Sequence, residues 1–179
     1  MIQITNLDET IYQVNKFDDI IEEDEIKTLH CNNNQLQSLP NSIGLLTNLQ
    51  TLYCYNNQLQ SLPDSIGLLT NLKKLHCGNN QLQSLPDSTG QLTNLQQLSC
   101  NNNQLQSLPI SIINLRRLTY CSTNNNPLEL TQQQIYFFNW VNNKKKQASE
   151  SYYNNDQNVH NSGFQKSLNN CLQIIMNKN

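Results

Sequence analysis

The sequence lacks the features that mark a secreted or membrane-inserted chain. Its first residues, MIQITNLDET, show no basic start followed by an apolar core, so no secretory signal is predicted. No apolar run approaches the roughly 20 residues that a membrane span needs. The many asparagines never occur in the glycosylation pattern Asn-x-Ser/Thr. Together these absences predict an intracellular, cytoplasmic protein with no membrane partner.

Charge is also scarce, at 13% of the residues and a formal net charge of −2. A balance this close to neutral favours neither nucleic acid nor a membrane surface as the partner. The acidic residues concentrate in residues 1–25, where the run Glu22–Glu25 stands out. This run is either a solvated face of a terminal cap or an acidic segment that attracts a basic partner.

Catalytic motifs are missing as well. The Gly-x-Ser-x-Gly, HExxH and P-loop patterns do not occur. Of the three histidines, His30 and His76 have no carboxylate in register with them, and His160 falls in a predicted polar loop. The sequence therefore predicts a protein that is not an enzyme and that needs no cofactor or metal.

What the sequence does contain is a repeat with a step of 23 residues. Its pattern is L-x-x-L-x-C-x-x-N-x-L-x-x-L-P-x-x-I-G-x-L, and we number each unit from its first position. The units begin at Ile26, Leu49, Leu72, Leu95 and Leu118. A fixed period of this length predicts stacked copies of one small unit rather than a globular domain with a pocket.

The segment L-x-x-L-x-C-x-x-N-x-L resembles the signature of leucine-rich repeats. With its 23-residue period and LPxSIGxLTN, the pattern is similar to the intracellular class found in plant Ras-group and Ras-suppressor-like proteins. The resemblance spans 26–130 and implies an α/β fold: a leucine-rich-repeat solenoid with a short parallel sheet on its concave face and a 3₁₀ or irregular convex side. The 23-residue pattern departs from the 20-residue repeats of bacterial ubiquitin-ligase effectors, and ubiquitin-ligase activity is therefore not implied.

Two segments outside the repeats are predicted to cap the solenoid. In the acidic N-terminal capping segment, 1–25, alternating Ile2 and Ile4 predict a short edge strand, and apolar residues from Val14 to Ile21 recur at helical spacing. Residues 131–179 are predicted to form a helical cap, with helices at about 132–147 and 163–176. Thr131 and Gln134 form a candidate capping box, and Lys144–Lys146 are expected near the end of the first helix. The second helix either packs on the first or serves as an exposed partner-binding helix.

Three repeated columns invite chemical interpretations. Cysteine recurs at position 6, which faces the core, so we expect a buried apolar stack rather than a metal site; the residues are Cys31, Cys54, Cys77 and Cys100. The asparagine of position 9 is expected to bond turn backbone groups. The glycine of position 19 is expected to permit a tight bend.

Specificity is predicted to come from the variable positions of the concave face. These partner-binding candidates are His30, Tyr53, Tyr55, Lys74, His76, Gln97 and Tyr120. Tyrosine and histidine are typical contact residues, which favours a non-enzymatic protein-interaction module or adaptor. The family resemblance implies a small GTPase or other signalling protein as the class of partner.

Two other functions remain open. The chain could be the substrate-reading or targeting subunit of a ubiquitin ligase, kinase or other signalling complex, with the helix of 164–175 or the N-terminal segment as its docking element. Nucleic-acid binding would use a basic set that is small and divided between faces: Lys73, Lys74, Arg116, Arg117 and the cluster at Lys144.

Overall fold

The computed structural model describes residues 1–6, 11–14, 17 and 25–153. Within these ranges seven strands form one sheet in the order β2-β1-β3-β4-β5-β6-β7. The strands are β1 (Ile2–Asn6), β2 (Ile11–Val14), β3 (Ile26–His30), β4 (Thr51–Tyr53), β5 (Lys74–His76), β6 (Gln97–Ser99) and β7 (Tyr120–Ser122). One α-helix, α1 (Gln132–Tyr153), follows them in the part of the chain that is described.

The five repeat strands, β3 to β7, pair in parallel, as the periodicity predicts. Residues at the same repeat position pair across adjacent strands, so that Thr28 pairs with Thr51 and Thr51 with Lys74. Leu52 and its equivalents at position 4 point into the core, and their neighbours on the strand remain partly exposed. The alternation follows from the two-residue period of a strand.

The N-terminal segment departs from the prediction, because β1 is not an edge strand. It lies between β2 and β3 and pairs antiparallel with both, and β2 forms the edge. Val14 belongs to β2 rather than to a helix. Phe17 packs against the core, whereas Ile20, Ile21 and the acidic run from Glu22 to Asp24 lie outside the described residues.

The convex side consists of short 3₁₀ segments, one in each of the first four repeats. They span Asn41–Leu45, Asp64–Leu68, Asp87–Gln91 and Ile110–Asn114. A proline precedes each of them in extended conformation, for example Pro63 with φ −70°. Proline suits this place because its φ is already restricted near this value and its carbonyl accepts the first turn's bond from Ile66 N–H.

The recurring glycines serve a purpose different from the predicted bend. None of the described glycines has a positive φ. A Cβ added to Gly67 would instead lie 2.7 Å from Ser88 Cβ and from Ser88 O, far closer than van der Waals contact. Gly44 and Gly90 meet the equivalent serines of their own neighbouring repeats in the same way. Glycine is therefore required because adjacent repeats approach too closely for a side chain.

The position-9 asparagines bond the turn backbone, as predicted. Asn80 Oδ1 accepts a hydrogen bond from Leu59 N at 3.0 Å, and its Nδ2 donates to Cys54 O and Cys77 O, each at 3.0 Å. Asn57 and Asn103 make the corresponding bonds. Each side chain thus joins two neighbouring repeats at backbone groups that the strand ladder leaves unpaired.

Position 8 is also asparagine in every repeat, and the backbone there explains why. All five residues have a positive φ between 52° and 59°; they are Asn33, Asn56, Asn79, Asn102 and Asn125. Asparagine tolerates this left-handed conformation better than other non-glycine residues. Their constancy is therefore structural.

The cysteine column lies in the core. Cys31, Cys54, Cys77 and Cys100 are fully buried, and none of them forms a disulfide. Burial raises the pKa of the Cys31 and Cys100 thiols to about 12, so both stay protonated at neutral pH. No cluster of metal-ligating side chains occurs among the described residues.

Helix α1 begins with the predicted capping box. Gln134 N donates to Thr131 Oγ1 at 3.3 Å, and Thr131 N donates to Gln134 Oε1 at 3.0 Å. The buried Gln134 also donates through Nε2 to Leu108 O at 2.8 Å, which ties the helix to the fourth repeat. Phe137 and Val141 join the core, whereas Ile135 is 39% exposed.

The helix is longer than the predicted range of about 132–147, because it continues to Tyr153. The lysines from Lys144 onward therefore lie inside the helix rather than at its end. Lys144 Nζ sits 3.7 Å from the Trp140 ring centroid and donates to Arg116 O at 2.9 Å. The predicted helix at 163–176 lies outside the described residues.

Candidate protein-binding face

The candidate residues share the face of the sheet that points away from the core, which we call the concave face. Lys74 and Gln97 stand at position 3 of their repeats, in register across β5 and β6. His30, Tyr53 and His76 stand at position 5 of β3, β4 and β5. Tyr55 follows two residues after Tyr53, and Tyr120, 39% exposed, lies on β7 beside Gln97.

Four of the candidates form a continuous aromatic cluster. The His30 and Tyr53 rings stack with their centroids 4.7 Å apart. Tyr53 meets His76 edge to face at 5.0 Å and meets Tyr55 edge to face at 6.2 Å. These are the favoured geometries of aromatic pairs, so the rings hold one another in place before any partner arrives. Tyr53 touches all three neighbours and is the centre of the cluster.

Both histidines of the cluster are biased toward their neutral form. Desolvation by burial lowers the pKa of His30 below 6.5, its ordinary value. Desolvation also lowers the pKa of His76, with a smaller contribution from the positive charge of Lys74. A hydrogen bond with the Gln97 side chain opposes this shift, because it favours the protonated ring. At neutral pH the cluster is therefore an uncharged aromatic surface.

The charges of the sheet are few and of one sign. The described strands contain two lysines, Lys27 on β3 and Lys74 on β5, and none of them contains an acidic residue. The repeat carboxylates lie elsewhere: Asp64 and Asp87 open 3₁₀ segments on the convex side, and Glu129 follows the last strand. The concave face is therefore weakly positive.

One further residue of this face was not singled out from the sequence. Gly78 follows the cluster at position 7, where the neighbouring repeats have Tyr55 and Asn101. A Cβ at Gly78 would lie 2.8 Å from Asn101 Oδ1, an atom that also accepts a hydrogen bond from Ser99 Oγ at 2.8 Å. The small residue thus leaves room for Asn101, and the break in the position-7 column was the available signal.

Three of the bases considered for nucleic-acid binding are held by local contacts. Lys73 Nζ donates to Gln50 Oε1 at 2.9 Å, and Arg117 donates to Asn94 Oδ1 at 2.7 Å. Lys144 is engaged with Trp140, as described above. Of these bases, only Lys74 stands on the strands of the sheet.

None of the described helices has the length and apolar character needed to cross a membrane.

The comparisons with known proteins agree with this architecture. A family model described as a leucine-rich repeat region matches residues 6–119. Among solved structures, the chain is similar to the leucine-rich-repeat protein LIC12759 of Leptospira interrogans, with 34% identity and a TM-score of 0.55. That match covers 62% of this chain and only 28% of the other, so this chain spans less than a third of its length. No curated protein matches the chain.

The chain belongs to the leucine-rich-repeat family. Members of this family generally mediate protein–protein interaction and are typically non-enzymatic scaffolds. The extended sheet of stacked repeats is the surface that such solenoids offer to their partners.

Proposed function

We propose that this chain is a non-enzymatic interaction module that binds a protein partner on its concave face. The observation that carries the proposal is the cluster of His30, Tyr53, Tyr55 and His76. Its rings are preassembled, and each remains partly exposed. Rigid, amphipathic tyrosines supply contact area at little cost in conformational entropy, which is why they are enriched among binding hot spots.

The finer features of the proposal rest on the family resemblance. An adaptor role, a signalling partner such as a small GTPase, and a cytoplasmic location would all suit a protein of the intracellular repeat class. Lys74, Gln97 and Tyr120 would extend the contact surface from the cluster toward β7. The N-terminal segment of 1–25 and the helical segment from Thr131 would cap the two ends of the repeats.

The experiment compares two triple variants of the purified protein. The first replaces Tyr53, Tyr55 and His76 with alanine and removes most of the cluster. The matched control replaces Gln58, Gln60 and Ser61 with alanine, three exposed residues of the same repeat that lie beyond its strand. Each protein is immobilised and used to capture partners from a lysate of the source cells, with quantitative mass spectrometry as the readout.

We expect the cluster variant to lose the captured partners and the control variant to keep them. The control variant should unfold at the temperature of the unchanged protein, because its replaced side chains are exposed. The cluster variant should unfold at a somewhat lower temperature, because it loses ring contacts, but it should remain folded since none of the replaced side chains belongs to the buried core. Equal capture by the cluster variant and the unchanged protein would refute binding at this face.

A further inference from the structure

We propose that the concave face recognises an extended acidic peptide segment of the partner, with a carboxylate against Lys74 and an aromatic or aliphatic side chain against Tyr53 and Tyr55. The inference rests on the proposed function and goes further, because it names the chemistry and spacing of the segment that binds. Three features of the sheet support it: its charge, its rings and the distance between them.

The first feature is the positive charge of Lys74, a residue that is partly exposed. Lys74 stands on the central repeat strand, and no described carboxylate pairs with it. Its charge acts instead on His76, the next outward-facing residue of the same strand. A sheet whose described strands contain only positive charges selects partners of the opposite sign, since a partner with a like charge would be repelled.

The second feature is the apolar surface beside that charge. Tyr53 and Tyr55 meet edge to face and stay partly exposed, so a side chain can pack against their rings. At neutral pH His30 and His76 extend the same surface without adding charge. Aromatic and aliphatic side chains gain most from such a site.

The third feature is the separation between the two subsites. Tyr53 pairs in register with His76, and Lys74 lies two residues before His76 on that strand. Adjacent strands are about 4.8 Å apart and two residues along a strand span about 6.6 Å, which places the subsites roughly 8 Å apart. Side chains on the same side of an extended peptide repeat every two residues, or about 6.8 Å. The fitting segment therefore has its acidic and apolar residues two positions apart.

The same geometry favours a carboxylate over a phosphate group. A phosphate monoester carries close to two negative charges at neutral pH and is usually bound by several donors or an arginine cluster. Here the charge of Lys74 acts on His76 of the cluster, and the adjacent Lys73 donates to Gln50 Oε1. A single carboxylate matches the single charge of Lys74.

The test uses a displayed library of random 12-residue peptides, selected against the full chain. We expect the selected peptides to be enriched in Asp or Glu placed two positions from an aromatic or aliphatic residue. Synthetic versions should bind Lys74→Gln about three- to tenfold more weakly than the unchanged protein. Lys73→Gln is the matched control, because it removes the same charge from the adjacent exposed residue; it should change affinity by less than about twofold.

Replacing the peptide's acidic residue with its amide should weaken binding to the unchanged protein and have little further effect on Lys74→Gln. The inference is overturned if affinity falls equally in the two lysine variants, if acidic residues are not enriched, or if no peptide binds. Peptides that need Tyr53 but ignore Lys74 would leave the proposed function standing without this inference. Peptides that ignore both Lys74 and Tyr53, tested as Tyr53→Ala, would contradict the proposed function itself.

Discussion

Thr89 is a polar residue where the other repeats have isoleucine, and its replacement should stabilise the protein. It occupies position 18 of the third repeat and is fully buried. The equivalents Ile43, Ile66 and Ile112 are also buried, and all belong to the core. The Thr89 hydroxyl has no hydrogen-bond partner among the described residues. Thr89→Val preserves the branched shape and puts a methyl group in place of the hydroxyl.

The size of the effect follows from the cost of an unpaired buried hydroxyl, which protein variants place at about 1–3 kcal/mol. We expect Thr89→Val to raise the free energy of unfolding by about 1–2 kcal/mol, since part of the cost is recovered by local adjustment. For a chain of this size that corresponds to a rise in Tm of about 2–8 °C. Thr89→Ile buries roughly one methylene more than Thr89→Val, which should raise the free energy of unfolding by a further ~0.8 kcal/mol.

Urea denaturation followed by far-UV circular dichroism provides the measurement. The transition midpoint should rise while the slope stays the same, because the surface exposed on unfolding is nearly unchanged. Thr93→Val is the control, as Thr93 is an exposed threonine of the same repeat and should shift stability by less than about 0.5 kcal/mol. A midpoint for Thr89→Val at or below that of the control would show that the hydroxyl is not unpaired in solution.

Two further predictions concern the asparagine column and the cluster. Asn80→Ala should destabilise the protein by about 3–5 kcal/mol in the same urea assay, because it leaves several buried backbone groups unpaired; Asn79→Gly, at an exposed position with φ 52°, should cost far less. Similar losses in both variants would contradict the role of Asn80. In the folded protein His30 and His76 should titrate below pH 6.5, as measured by NMR. Because the unfolded chain takes up these protons first as the pH falls, the stability contributed by the two neutral rings is present above pH 6.5 and declines below it. Midpoints at or above 6.5 would refute their desolvation.

The repeat architecture could be predicted because it is encoded locally and many times over. Leu52 and Cys54 point inward and Tyr53 outward in any strand at this register, and the 23-residue step carries that pattern to the next strand. The capping box of Thr131 and Gln134 was equally predictable, since its two hydrogen bonds need only a fixed local spacing.

The N-terminal pairing and the role of the glycines could not be predicted in this way. The alternation of Ile2 and Ile4 indicates a strand but does not reveal which neighbours that strand pairs with, and β1 proved to have one on each side. The spacing of Gly67 suggests a bend, whereas its cause is Ser88 of the next repeat, 2.7 Å from the missing Cβ. Contacts between distant parts of the chain leave little trace in local spacing.

The candidate site also has features that the sequence predicts and features that only the structure reveals. The sequence by itself determined which residues share the concave face, because strand periodicity and repeat register decide that without side-chain detail. Only the tertiary structure decided that His30, Tyr53 and His76 pack ring against ring and that Lys74 stands beside them without a described carboxylate. Those features depend on side-chain conformations and on charges from other repeats, which are set only when the repeats stack.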